Sequence, residues 1–167
     1  PRVPVVLEGI VEDKRLWYRR APGMTCMGAL GAAEALGHPA ENDSKGCGTI
    51  MRVAPVAFLP VLDTYRIASA TSDLTHGHRT GQEAAAAWAT LLRNVLNGET
   101  LETAARDFVE APFDTETTRA IVKALNAPRD GTVETVHSLG GGWVAETDWG
   151  VALFTRSEEH TSELQSL

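Results

Sequence analysis

The segment NDSKGCGTIMRVAP, Asn42 to Pro55, has residue types and spacing suited to holding an anion. Its Asn, Asp, Ser and Gly residues suit a tight, open loop. That loop, Ser44 included, feeds directly into an apolar run that reads as a helix. At such a junction several backbone N–H groups face outward, with the positive end of a helix dipole behind them, and phosphate binds there. Lys45 and Arg52 add positive charge, while Gly46 and Gly48 permit positive φ and close backbone approach. The same residues would also make a helix-capping loop that carries no ligand. Pro55 is expected to kink or begin a helix.

A second cluster, SDLTHGHRTG (Ser72 to Gly81), places His76 and His78 just ahead of an alanine-rich run. Three roles fit the pair. The histidines can be plain loop residues, they can begin a zinc site, or an imidazole can donate to a sugar hydroxyl or phosphate. Zinc needs further ligands, and no Cys or carboxylate motif of suitable spacing accompanies them.

The elements that must position these residues read as helices. Over 79–97, Ala84, Ala85, Trp88, Leu91, Leu92, Val95 and Leu96 fall on one stripe, with Gly98 placed to end the helix. Thr100 can cap a helix whose apolar face is Leu101, Ala104, Ala105 and Phe108. Asp114 can cap another, with Ile121, Val122 and Leu125 inward and Pro128 beyond its end. Thr25 to Leu36 reads as a small-residue helix that a neighbour could approach closely. Gly142 to Phe154 spaces Trp143, Val144, Thr147 and Val151 helically after LGGG. Strand-like alternation is nearly absent, so the expected class is all-α.

Composition narrows the functions. The formal net charge of −7 argues against a nucleic-acid surface, and no Lys/Arg cluster offsets it. No run approaches the roughly 18 apolar residues needed to span a bilayer, and PRVPVVLEGI is too short and wrongly flanked for a signal peptide. Two cysteines, Cys26 and Cys47, make no disulfide framework and suit a reducing cytosol. The expected location is cytoplasmic, away from membranes. The chain begins at Pro1, without an initiator Met.

Four segments, RAPGMTCMGAL, NDSKGCGTIMRVAPVAF, SATSDLTHGHRTGQEAAAAWATLL and LGGGWVAETDWGVALF, occur in an order that resembles the ADP-ribosylglycohydrolases, the dinitrogenase-reductase-activating type included. The likeness covers roughly residues 17–154. Its most specific parts are the Gly-x-Gly-x-x-Met-Arg core, Gly46 to Arg52, and the Leu-Thr-His of Leu74 to His76. The resemblance implies an orthogonal all-α bundle in which the Ser/Gly loop cradles the diphosphate of ADP-ribose and the Thr-His histidine contacts the ligand. By position these roles fall on Ser44, Gly46, Cys47, Gly48 and His76. Many relatives have Asn where Cys47 stands.

The resemblance also implies two Mg²⁺ ions held by an early Thr-Asp-Asp and a late Gly-Asp-x-Asp motif, neither of which occurs here. The only Thr-Asp is Thr147-Asp148, and Gly-Asp is absent. Arg156 to Ser166 read as the in-frame translation of a sequencing-adapter oligonucleotide. The expectation is therefore a partial glycohydrolase domain over 1–155, truncated at both ends, with 156–167 foreign to it. Apolar faces around Trp88 and Trp143 are then expected to lie uncovered.

The implied activity is hydrolysis of the bond joining ADP-ribose to a protein side chain or small acceptor, through an oxocarbenium-like state. The chain as given is expected to be inactive, lacking the metal ligands. The alternative is a non-catalytic relative that binds ADP-ribose or a similar nucleotide. The partners implied are an ADP-ribosylated protein or a small ADP-ribose conjugate.

Overall fold

Alanine sets the centre of the fold. In the computed structural model, which describes residues 14–16, 23–35, 37–110 and 115–165 (16 and 156–165 by backbone alone), the hub is helix α4, Arg79–Leu96. Ala84, Ala85, Ala86, Ala87 and Ala89 are fully buried around it. Small side chains let neighbours close in on every side of a helix that has no solvent face at this level.

Before α4 come α1 (Met24–Ala32), α2 (Gly48–Val53), a 3₁₀ turn (Ala54–Phe58) and α3 (Thr64–Asp73). After it come α5 (Leu101–Glu110), α6 (Glu116–Leu125), α7 (Val133–Leu139) and α8 (Ala145–Gln165). The described residues contain no strand longer than an isolated bridge between Gly46 and Val144. The protein is all-α, as expected. Helix α3 lies along α4, α6 lies along α8, and α4 meets α2, α5, α6 and α8.

Two apolar clusters share α4. Ala85, Ala86 and Ala89 meet Val53, Val56 and Ala68 on one side. Ala84 and Leu91 meet Ala104, Ile121, Trp149, Leu153 and Phe154 on the other. Trp88 packs against both clusters and stands edge-on to Trp149, with ring centroids 5.7 Å apart. The face expected to lie bare around Trp88 is thus covered, whereas Trp143 is 83% exposed.

The ends of the helices follow local chemistry. Thr100 accepts from the Thr103 amide and Gly98 takes φ +101°, both in the expected roles. Pro55 falls in the first turn of the 3₁₀ segment. The cap of α6 is Thr115, whose hydroxyl accepts from the Thr118 amide; Asp114, like Leu36, lies outside the described residues.

Three expected faces differ from the structure. Val95 and Leu96 are exposed, because α4 outruns its partners at its C-terminal end. On α6 the inward residues are Ile121 and Ala124, while Val122 is exposed. Helix α8 starts only at Ala145 and buries Ala145, Trp149, Leu153 and Phe154 rather than the predicted Trp143 stripe. Gly140 and Gly142 take φ +139° and +68°, so the chain turns through LGGG and enters the helix later than periodicity suggests. Finally, α1 buries no residue, and space is open at Gly28 and Gly31, so the close neighbour expected there is not among the described residues.

Candidate functional site

Asn42 builds the loop. Its Oδ1 accepts from the amides of Ser44 at 3.0 Å and Gly77 at 3.1 Å, and its Nδ2 donates to the Thr75 carbonyl at 3.0 Å. One side chain thereby pins the loop to the segment carrying both histidines. A Cβ at Gly77 would stand 2.0 Å from the Asn42 carbonyl oxygen, so only glycine fits this contact.

The rest of the loop is stitched to its surroundings. The Gly46 amide donates to Ser44 Oγ at 3.3 Å, and the Cys47 amide donates to the Trp143 carbonyl at 3.2 Å. The carbonyls of Ser44 and Lys45 accept from the amides of His78 and Ala145. The amides of Gly46 and Cys47, expected to face outward, are therefore bonded within the protein. Nor do Gly46 and Gly48 take positive φ. Their smallness serves another purpose: a Cβ at either would lie 3.2–3.3 Å from the His76 ring.

His76 is 1% exposed, beneath the loop. Its Nδ1 is 2.7 Å from Thr75 Oγ1, and burial, followed by the Arg52 charge, pushes its pKa below the usual histidine value. His78 does different work. Its Nδ1 accepts from the Thr80 amide at 3.1 Å, capping α4. The two histidines thus face separate tasks. Among the described residues no three His, Cys, Asp or Glu side chains converge to hold a metal, which removes support from a zinc site at His76 and His78.

Both nearby cations have protein partners. Arg52 donates to the carbonyls of Thr71 and Ser72, to Thr75 Oγ1 and to Cys26 Sγ, tying α2 to the end of α3. Lys45 Nζ lies 2.6 Å from Glu116 Oε2 and 2.7 Å from Glu146 Oε1. The Glu116 hydrogen bond, then that of Glu146, holds its pKa above the usual lysine value. Glu116 is pushed down by Lys45 and then by Thr80.

A cleft of about 670 Å³ borders this unit, with Met24, Thr25, Gly28 and Ala29 of α1 on one wall and residues 38–44 on the other. Its size suits a nucleotide-sized ligand. Among the candidate residues, Ser44 alone lines it. The described residues do not fit a pair of magnesium ions: among them no three His, Cys, Asp or Glu side chains group to hold a cation, and Glu116 and Glu146 converge on Lys45.

The ADP-ribosylglycohydrolase family model matches residues 7–164. The chain belongs to the ADP-ribosylglycohydrolase family. No curated protein and no solved structure matches it. In this glycohydrolase-family chain, Ser44, Lys45, Gly46, Cys47, Gly48, Arg52 and His76 form one contiguous unit, held together by residues that sequence reasoning passed over. Asn42 had a legible signal, an Asn two residues before a Ser in a turn-rich stretch. Glu116 and Glu146 had none, since their link to Lys45 depends on how α6 and α8 pack.

Proposed function

We propose that the parent protein of this chain acts in ADP-ribosyl hydrolysis, releasing ADP-ribose from a protein side chain or small acceptor, with the Ser44–Gly48 loop, braced from below by His76, on the ADP-ribose side of the site. The observation that carries the proposal is the coincidence of the family match with the structure. The motifs separated in sequence, Asn42–Arg52 and Leu74–His76, meet in one hydrogen-bonded unit beside a cleft of nucleotide size. This chain's own residues would bind and orient. Ser44 stands on the cleft wall, Asn42 and Lys45 fix the loop's course, and buried His76 supports it from below. Bond cleavage at the anomeric carbon passes through an oxocarbenium-like state, and fixed geometry around it contributes only when the reacting groups are also in place. Magnesium would supply ribose orientation and water activation in the parent reaction, and no step in this chain is assigned to it.

The second reading, binding of ADP-ribose without catalysis, is favoured by one observation: Glu116 and Glu146 are both engaged by Lys45. Two assays test the binding site that both readings share and the expected lack of turnover by this chain. Calorimetric titration of the 167-residue chain with ADP-ribose is expected to show binding that Ser44→Ala weakens at an unchanged circular-dichroism spectrum. Equal affinity in the variant would remove the loop from the site. Release of ADP-ribose from modified substrates, with Mg²⁺ present, is expected to be absent for this chain, and turnover would show that a catalytic centre lies within it.

A further inference from the structure

Cys26 and Cys47 come from separate parts of the sequence, α1 and the residue preceding α2. Both are free and half-buried. Cys26 Sγ sits against the backbone next to Cys47, 3.3 Å from the position a Cβ would take at Gly48. Glycine there leaves the space that the sulfur occupies. On its other side, Arg52 Nη1 donates to Cys26 Sγ at 3.5 Å. We propose that Cys26 and Cys47 form a site of reversible oxidation by hydroperoxides, closing to an intramolecular disulfide that ties α1 to the start of α2.

The chemistry assigns different parts to the two thiols. Cys26 attacks the terminal oxygen of the hydroperoxide, whose O–O bond breaks; the alkoxide or hydroxide leaving group takes a proton and departs as alcohol or water. The Arg52 guanidinium, donating to Cys26 Sγ, holds that sulfur in place beside Gly48. Cys26 is then a sulfenic acid. The Cys47 sulfur attacks the Cys26 sulfur, the S–S bond forms, and the hydroxyl leaves as water with the Cys47 proton. One hydroperoxide has been reduced and two thiols oxidised. Burial, then the Asp148 carboxylate, pushes the Cys47 thiol above the usual value, with Cys26 acting in the same direction; a thiol so raised is a poor first nucleophile toward peroxide, and its attack on the sulfenic acid is the slower, second step.

Disulfide geometry requires the two Cα atoms to approach within about 4.4–6.8 Å. Helix α1 can supply the adjustment cheaply, because none of its residues is buried and no described residue stands within 4 Å of a Cβ at Gly28 or Gly31. Its residues also form one wall of the 670 Å³ cleft. Oxidation would therefore fix that wall to the Ser44–Gly48 loop. The proposal rests on the thiol geometry alone and holds whether or not the cleft takes ADP-ribose.

The test is non-reducing peptide mapping of the 167-residue chain after treatment with hydrogen peroxide. The expected result is a Cys26–Cys47 linked peptide in the monomer, loss of both free thiols, a mass lower by two hydrogens, and full reversal by dithiothreitol. In Cys47→Ser, dimedone should trap a sulfenic acid on Cys26, whereas in Cys26→Ser the same peroxide dose should leave Cys47 alkylatable. The linkage should also form faster in the native chain than in urea, since the fold holds Cys26 Sγ against the backbone at Gly48, next to Cys47. Both thiols remaining alkylatable, disulfides only between chains, a dimedone adduct on Cys47 instead of Cys26, or equal rates in urea would each overturn the proposal.

Discussion

Replacing Lys45 by Met tests whether charge holds the loop in place. Its two carboxylate partners are not equivalent: the Glu116 side chain is 47% exposed and that of Glu146 8%. An exposed ion pair contributes about 0–1 kcal/mol, whereas removing one partner of a buried pair costs about 3–5 kcal/mol by stranding the other charge. Oε2 of Glu146 is already buried without a hydrogen-bond partner among the described groups, so nothing stands ready to replace the lysine. Lys45 itself is 30% exposed, which puts the expected loss at the lower end, about 3 kcal/mol. For a chain of this size that lowers Tm by about 6–12 °C. Glu116→Gln should cost about 0–1 kcal/mol. The double variant Lys45→Met/Glu146→Leu removes the stranded charge together with the cation and should recover most of the loss. It also keeps the test open should the single variant unfold. Urea titrations of the four proteins decide the matter. A Lys45→Met chain within about 1 kcal/mol of the parent, or a double variant no better than the single, would refute the reasoning.

The same bridge sets a pH window. Glu116 is pushed below its ordinary 4.5 by Lys45 and then by Thr80, so its contribution is present above 4.5 and lost as pH falls through the lower folded value. Lys45 is pushed above 10.5 by Glu116 and then by Glu146, so its contribution is present below 10.5 and lost as pH rises through the higher folded value. The stability gap between parent and Lys45→Met should be widest between these limits and narrow outside them.

Two further predictions concern the segment beneath the loop. Gly77→Ala places a Cβ 2.0 Å from one backbone carbonyl oxygen and 2.8 Å from another, so residues 40–42 must move; a loss of about 1–3 kcal/mol or more is expected in thermal melts. Gly31→Ala, with no described residue within 4 Å of its Cβ, is the control, and equal melting of the two variants would show that the Asn42 contact does not constrain the fold. His76 is held neutral by burial, then by Arg52, with its pKa below 6.5; the unfolded chain takes the proton first, and stability falls as pH drops from 6.5 through the folded value. His76→Gln should flatten that slope in Tm measured against pH, and an unchanged slope would assign it to other groups.

What the sequence disclosed, and what it hid, divides along the range of the interactions involved. Apolar spacing found α4, α5 and α6, and local capping placed Gly98 and Thr100 correctly, because those signals lie within a few residues of the feature they determine. The late start of α8 was hidden because Trp143 and Val144 fit a helical period. Their backbones instead pair with the loop at Gly46 and Cys47, a contact made across about a hundred residues that no local pattern records. The glycines of the loop show the same division. Their presence at 46 and 48 was plain, and it suggested positive φ and outward amides. The structure uses them to admit the ring of His76, which arrives from a different helix connection. Arg52 and Lys45 were legible as positive charges near the loop, but a charge acquires its role from what faces it. Carbonyls at the end of α3 face Arg52, and carboxylates at the starts of α6 and α8 face Lys45. A phosphate-binding motif and a well-braced loop can share one sequence, and the neighbours supplied by the fold separate them. In this chain the cations and the Cys47 amide are satisfied by such neighbours, and the amides of Ser44 and Gly46 by side chains of the loop itself. Any anion bound here must then be met chiefly from the cleft side, where Ser44 stands.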